Sequence, residues 1–134
     1  MTGAVSDRGD MVAQMAPRLD PVRYCFMVIS PDTAPQALGA AIGTFREDEG
    51  VTAIVPEVVA RELGHEGPAF ARITLMVHSS LEGVGLTAAV SSALADAGIA
   101  CNMVAAYHHD HVFVPFERAE EALTILENLA KTAG

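Results

Sequence analysis

Tryptophan is absent from the chain and aromatic residues make up only 5% of it, which removes the stacked rings on which single-stranded nucleobases rest. Positive charge is scarce as well: 8 Lys plus Arg stand against 17 Asp plus Glu, the formal net charge is -9, and no two basic residues adjoin. A protein that tracks a phosphate backbone carries the opposite balance, so nucleic acid is not an expected partner. Long hydrophobic runs are missing too. The longest, Tyr24 to Ile29, falls far below the roughly 20 residues that span a bilayer, and the opening MTGAVSDRGD carries no basic-then-apolar leader. These features predict a soluble, unexported, cytoplasmic protein with no membrane partner. Cys25 and Cys101 both sit in apolar, strand-like runs without CxxC spacing, which predicts buried, reduced thiols in place of a disulfide. A length of 134 residues allows one compact domain or two very small modules, but no large catalytic domain.

What is present is a regular alternation of elements. Residues 1–18 read as a peripheral tail with a short surface helix, in which Met11, Val12 and Met15 share a face and Pro17 closes the turn. The run VRYCFMVIS (22–30) is apolar on both faces and reads as a mid-sheet strand. Asp32 or Thr33 then offers a helix cap, with Leu38, Ala41, Ile42 and Phe45 at helical spacing. A tight turn at DEG (48–50) leads into the strand VTAIV, and Pro56 opens a second helix carrying Val59 and Leu63.

The second half repeats this order. FARITLMVHS (70–79) alternates, with Ala71, Ile73, Leu75 and Val77 on one face and Arg72, Thr74, Met76 and His78 on the other. Residues 85–98 form an amphipathic helix built on Leu86, Ala89, Val90, Ala93, Leu94 and Ala97, with Gly98 as its stop. Next come the strand IACNMVAA, a histidine-rich turn, the returning strand HVFVP and a final helix on Ala119, Ala122, Leu123, Leu126, Leu129 and Ala130. The predicted fold class is α+β: two ferredoxin-like βαββα repeats, residues 19–66 and 67–134, with antiparallel strands and helices on one face. Each repeat is one strand short of a closed unit. The exposed edge predicts that the repeats share a sheet or recruit a second subunit, so a homodimer is expected.

The segment ITLMVHSSLEGVGLTAAVSSALADAGIACNMVAAYHHDHVFVPFERAEEALTIL resembles the ACT domain, and IGTFREDEGVTAIVP is similar to the accompanying half-module of small two-ACT proteins, relatives of the regulatory tail of aspartate kinases. The resemblance implies a non-catalytic regulatory protein that holds an amino acid between modules or subunits and is read by a separate regulated protein. It implies no cofactor, and this chain has no kinase domain. In such proteins the ligand sits at the loop after the first strand, here Ser79, Ser80, Leu81, Glu82, Gly83, Val84, Gly85 and Leu86. Gly83 and Gly85 permit close backbone approach, the amides opening the following helix suit a carboxylate, Ser79 and Ser80 add hydroxyls, Glu82 suits an ammonium, and Asn102, facing the loop, suits either end. The same residues also have bland readings: glycines for turn geometry, Ser80 as a cap, Glu82 solvated beside the helix end.

AYHHDHVFVP (106–115) raises metal and catalytic readings. Adjacent strand residues alternate faces, so only His109 with His111, or His108 with Asp110, converge locally, and a zinc site needs more, with His78 the best candidate and His65 in the linker. No Ser or Cys nucleophile is spaced for activation by a His-Asp pair. The expectation is therefore no metal, no catalytic residue, Asp110 as a turn residue and the histidines as structural donors, with Asp110 and His111 kept as possible ligand contacts. REDEG (46–50) lacks the alternating ligands of a calcium loop, and the methionines, Phe113 and Phe116 read as packing. The other class of function considered is a ligand-free structural or interaction module.

Overall fold

The computed structural model describes residues 7–78 and 84–133. Contacts divide the chain into a central unit, Pro21–Phe70, and a terminal unit made of the residues up to Asp20 together with those from Ala71 on. Six antiparallel strands are hydrogen-bonded in the order β2-β3-β1-β4-β6-β5. They are β1 (Pro17–Ile29), β2 (Gly43–Glu47), β3 (Gly50–Pro56), β4 (Phe70–Leu75), β5 (Asn102–Ala105) and β6 (Asp110–Pro115). The helices are α1 (Arg8–Ala13), α2 (Ala34–Ala40), α3 (Glu57–Glu62), α4 (Leu86–Asp96) and α5 (Ala119–Thr132). The expected α+β class and the shared antiparallel sheet are both present, and β1 lies between β3 and β4 as a mid-sheet strand.

In the terminal unit the alternation of β4 works as the sequence predicts. Ala71, Ile73 and Leu75 join Val112 and Val114 of β6 in one core with the apolar stripes of α4 and α5. The N-terminal segment carries the expected short helix, with Arg8, Gly9, Asp10 and Ala13 exposed on its outer side. Asp7 caps α1 by accepting from the Asp10 amide at 3.0 Å, and Met11, Val12 and Met15 are fully buried in that same core. Amphipathic spacing predicts a buried stripe, but gives no measure of how deep it goes, and here α1 packs on both α4 and α5. The opening of β1 is held to β4 by a half-buried ion pair, Arg72 to Asp20 at 2.7 Å.

Three strand and helix ends also differ from the sequence pattern. β4 stops at Leu75, short of residue 79, because the Met76 and Val77 amides leave the ladder to donate to the Met15 carbonyl at 2.6 and 3.3 Å. β5 begins at Asn102 and not at Ile99, which is buried in the link after α4. That link opens on Gly98 in the left-handed region (φ 73), and Arg118 donates to the carbonyls of Ala97 and Gly98 at 3.1 and 3.5 Å, satisfying the end of α4.

The central unit is built on smaller side chains. Cys25 and Met27 of β1, Ala53 and Val55 of β3, Ala37 of α2 and Ala60 of α3 make its core. Phe45, expected at helical spacing with Leu38 and Ile42, belongs instead to β2, and all three are exposed. Pairing decides this: Phe45 lies opposite Thr52 in the β2–β3 hairpin, and α2 has already ended at Ala40. Glu57 of α3 binds Arg61 at 2.8 Å one turn along. Both cysteines are free; Cys25 is fully buried and Cys101 half-buried, and burial raises both thiols above their ordinary range. No helix among the described residues is long and apolar enough to cross a membrane.

Candidate functional site

Ser79, Ser80, Leu81, Glu82 and Gly83 of the expected ligand loop lie outside the described residues. Both flanks are described, and both lead to α1. On the way in, the last amides of the β4 run are fixed by Met15, directly after α1. On the way out, Val84 is exposed, Gly85 is the N-cap of α4 and Leu86 is buried as its first residue. Gly85 has φ 108, a left-handed value that a side chain resists, and a Cβ there would stand 2.7 and 2.9 Å from Cδ and Cγ of Arg8. The dihedral favours glycine at this position, and a side chain there would also displace the Arg8 stem.

This packing fixes the character of the α4 start. Among the described residues no side chain caps the helix. Its first amides have no partner within the helix and carry the positive end of the dipole, and the Arg8 guanidinium, two bonds beyond the Cδ that rests on Gly85, adds a full charge nearby. Arg8 makes no ion pair among the described residues. It was invisible in the sequence as a site residue because it precedes the loop by more than seventy positions.

Asp110 and His111 separate. The hairpin turn is closed by the Ala106 amide donating to the His109 carbonyl at 3.0 Å, and Asp110, paired with Ala105, is the first residue of β6, not part of the turn. It is only 9% exposed and shares its face with Val112 and Val114, the core side of the sheet. Since β6 neighbours β4 in antiparallel sense, Asp110 stands at the end of the unit where the chain leaves β4 for α4. His111 points to the opposite face. Its Nδ1 shares a hydrogen bond with the buried Thr74 hydroxyl at 3.1 Å. Burial, then the Arg72 and His109 charges, hold this imidazole below its ordinary range, against the smaller opposing pull of Asp110.

Asn102 does not join this end either. It is opposite Phe113, three register positions from Asp110, roughly 10 Å along the strand and on the other face. Arg8 and Gly85 therefore meet, with Val84 and Leu86 next to Gly85 in the chain; Asp110 is on the core face of β6, and His111 and Asn102 are on the other face. The histidines form a surface group: the His78 and His108 rings are 5.7 Å apart, His108 and His109 6.4 Å, and Tyr107 meets His108 edge-on at 5.0 Å. His78 thus approaches His108, while His111 is committed to Thr74. Among the described residues no group of three His, Cys, Asp or Glu side chains has an arrangement that holds a metal ion.

Residues 5–72 and residues 72–128 each match a family described as ACT domain. Among solved structures, a protein of unknown function from Vibrio cholerae, described as a possible transport protein, is 38% identical, with 91% of this chain and 94% of that one covered and a TM-score of 0.79. The ligand-free regulatory subunit of aspartate kinase from Thermus thermophilus is 17% identical, with 87% and 97% coverage and a TM-score of 0.64. Aspartokinase III of E. coli, solved with aspartate and ADP, is 15% identical over 85% of this chain and 33% of its own length, with a TM-score of 0.57. No curated protein matches the chain.

Proposed function

The chain belongs to the ACT-domain family, whose members are regulatory modules that bind small ligands, and from that premise we propose that it is a non-catalytic amino-acid-binding regulator holding its ligand at the 79–86 loop. The observation that carries this reading is the start of α4. It opens on a left-handed glycine with no side-chain cap among the described residues, beside the Arg8 stem and on the side of the sheet where Asp110 is buried. A carboxylate takes the free amides and the Arg8 charge, and the ammonium takes Glu82 or Asp110. The chemistry is binding without turnover, which fits a family of regulatory modules.

In this reading the protein is cytoplasmic, a homodimer, and acts through a separate regulated protein that senses a change in its modules or subunits. Coupling of that kind requires the ligand to favour one of two arrangements. The test is a thermal-shift screen against the twenty amino acids, because a ligand that binds only the folded protein raises Tm by mass action. We expect one amino acid to raise Tm and its effect to disappear in Gly85→Ala and weaken in Arg8→Ala. If no amino acid has an effect at concentrations well above about 1 mM, the loop is not a ligand site and a ligand-free interaction module takes its place.

A further inference from the structure

A shallow, open cavity of about 430 Å³ lies between the α1–β1 connection and α5, walled by Ala13, Gln14, Ala16, Glu127, Ala130 and Lys131. Its size falls in the lower part of the range that holds small ligands, roughly 300–1,000 Å³. Three independent features set it apart from a packing defect. First, its two charged side chains have opposite sign and stand one helical turn apart on α5, yet no ion pair joins them; Glu57 and Arg61, in the same order and spacing, close to 2.8 Å. Both side chains are exposed, so their charges are open to a solute.

Second, Lys131 is the only lysine in the chain, every other cationic side chain being arginine. An ammonium is a compact charge on a flexible stem that adapts to a small carboxylate, where a guanidinium demands a planar fork. Third, Ala16 holds φ 44, the left-handed region that an alanine adopts only under constraint. The constraint is visible: Met15 before it is buried, and its carbonyl receives the Met76 and Val77 amides. The cavity wall is therefore fixed in shape, and it is joined by two hydrogen bonds to the end of β4.

We propose that this cavity is a second binding site, for a small zwitterion with a short apolar body, its ammonium on Glu127, its carboxylate on Lys131 and its carbon chain against Ala13, Ala16 and Ala130. Gln14 donates to or accepts from either end. The site shares no residue with the 79–86 loop.

A single lysine makes the test direct. The full chain labelled with 13C only in lysine gives one Cε signal, from Lys131. It is titrated with glycine, β-alanine and 4-aminobutyrate, and with acetate and methylammonium as single-charge controls. A saturable shift with at least one zwitterion, half-complete at or below about 10 mM, is expected, with an affinity loss of about tenfold in Glu127→Gln, a surface change that leaves the fold intact. Ala130→Leu, which fills the cavity, is expected to abolish it. The shift persists in Gly85→Ala, so this proposal and the loop reading fail separately. No saturable shift overturns the proposal. An equal response to acetate, or none lost in Glu127→Gln, also overturns it, leaving an adventitious ion only.

Discussion

The terminal and central units place the same kinds of element in the same order but use their apolar residues differently. The terminal unit fully buries Met11, Met15, Ile73, Leu75, Leu94 and Leu126. The central unit fills its core with Cys25, Met27, Val55 and three alanines, while Val28 is 67% and Phe45 71% exposed and Leu38, Ile42 and Val58 also face outward. A large side chain contributes about 1.5–3 kcal/mol when fully buried, so the two units differ by the worth of several such residues. Alanine cores let α2 and α3 approach β3 closely, but they gain little on their own. The difference teaches that the terminal unit is stabilised within itself, including by the borrowed N-terminal helix, and that the central unit has apolar surface left over.

The sharpest way to break this comparison is a pair of leucine truncations. Leu126→Ala, in the terminal core, is expected to cost about 2–5 kcal/mol, and Leu38→Ala, half-exposed on α2, no more than about 0.5 kcal/mol. Urea unfolding of both variants decides it; equal midpoints would mean that burial in the two units is equivalent. Gly85→Ala comes next. It puts an alanine at φ 108 and a methyl against Arg8, for an expected loss of about 1–3 kcal/mol. Adding Arg8→Ala removes the contact but not the dihedral, so the double variant recovers only part of the loss; full recovery would show that space alone required the glycine.

The fold was largely legible because it rests on period. The alternation of β4 and the stripes of α4 and α5 place Ile73, Leu75, Leu94 and Leu126 in the core directly, and Gly98 stops its helix where a left-handed residue is needed. What period does not carry is which partner an element chooses. Met11 and Met15 announced a stripe but not that it would enter the terminal core, and Phe45 fitted a helical spacing that strand pairing with Thr52 overrode. Of the candidate site, Gly85 lies at the helix start that the sequence placed, whereas Asp110, expected in the turn, is the first residue of β6. The faces of Asn102 and His111 follow from register, and the contact of Arg8 with Gly85 joins positions far apart in sequence, so neither could be read from period.

A smaller effect sharpens the terminal unit's side of the comparison. His111 is held below the ordinary imidazole pKa of about 6.5, so the folded protein binds its proton less readily than the unfolded chain. Above that pH both states are neutral there and no stability is at stake. As pH falls through about 6.5 the unfolded state takes up the proton first, and stability declines until the folded-state value is passed. Tm followed from pH 7.5 to 5.5 should therefore fall more steeply in the natural protein than in His111→Gln, which keeps a polar partner for Thr74. Parallel curves would remove His111 as the source.

The smallest effect on stability, and the one that bears most on the central unit, is expected from Phe45→Thr. Phe45 is on β2, which ends the sheet, and it lies in register with Thr52 and, through it, with the exposed Val28. A β-branched polar residue keeps strand propensity while removing the ring, so the unfolding midpoint at low concentration should stay within about 0.5 kcal/mol of the natural value. If the leftover apolar surface is where two copies meet, the variant should sediment as a monomer at concentrations where the natural protein is a dimer. Such a contact is isologous, the same edge meeting itself, so a single substitution is felt twice. A dimer unchanged by Phe45→Thr would place the subunit contact elsewhere and leave the outward Val28 and Phe45 as ordinary surface residues.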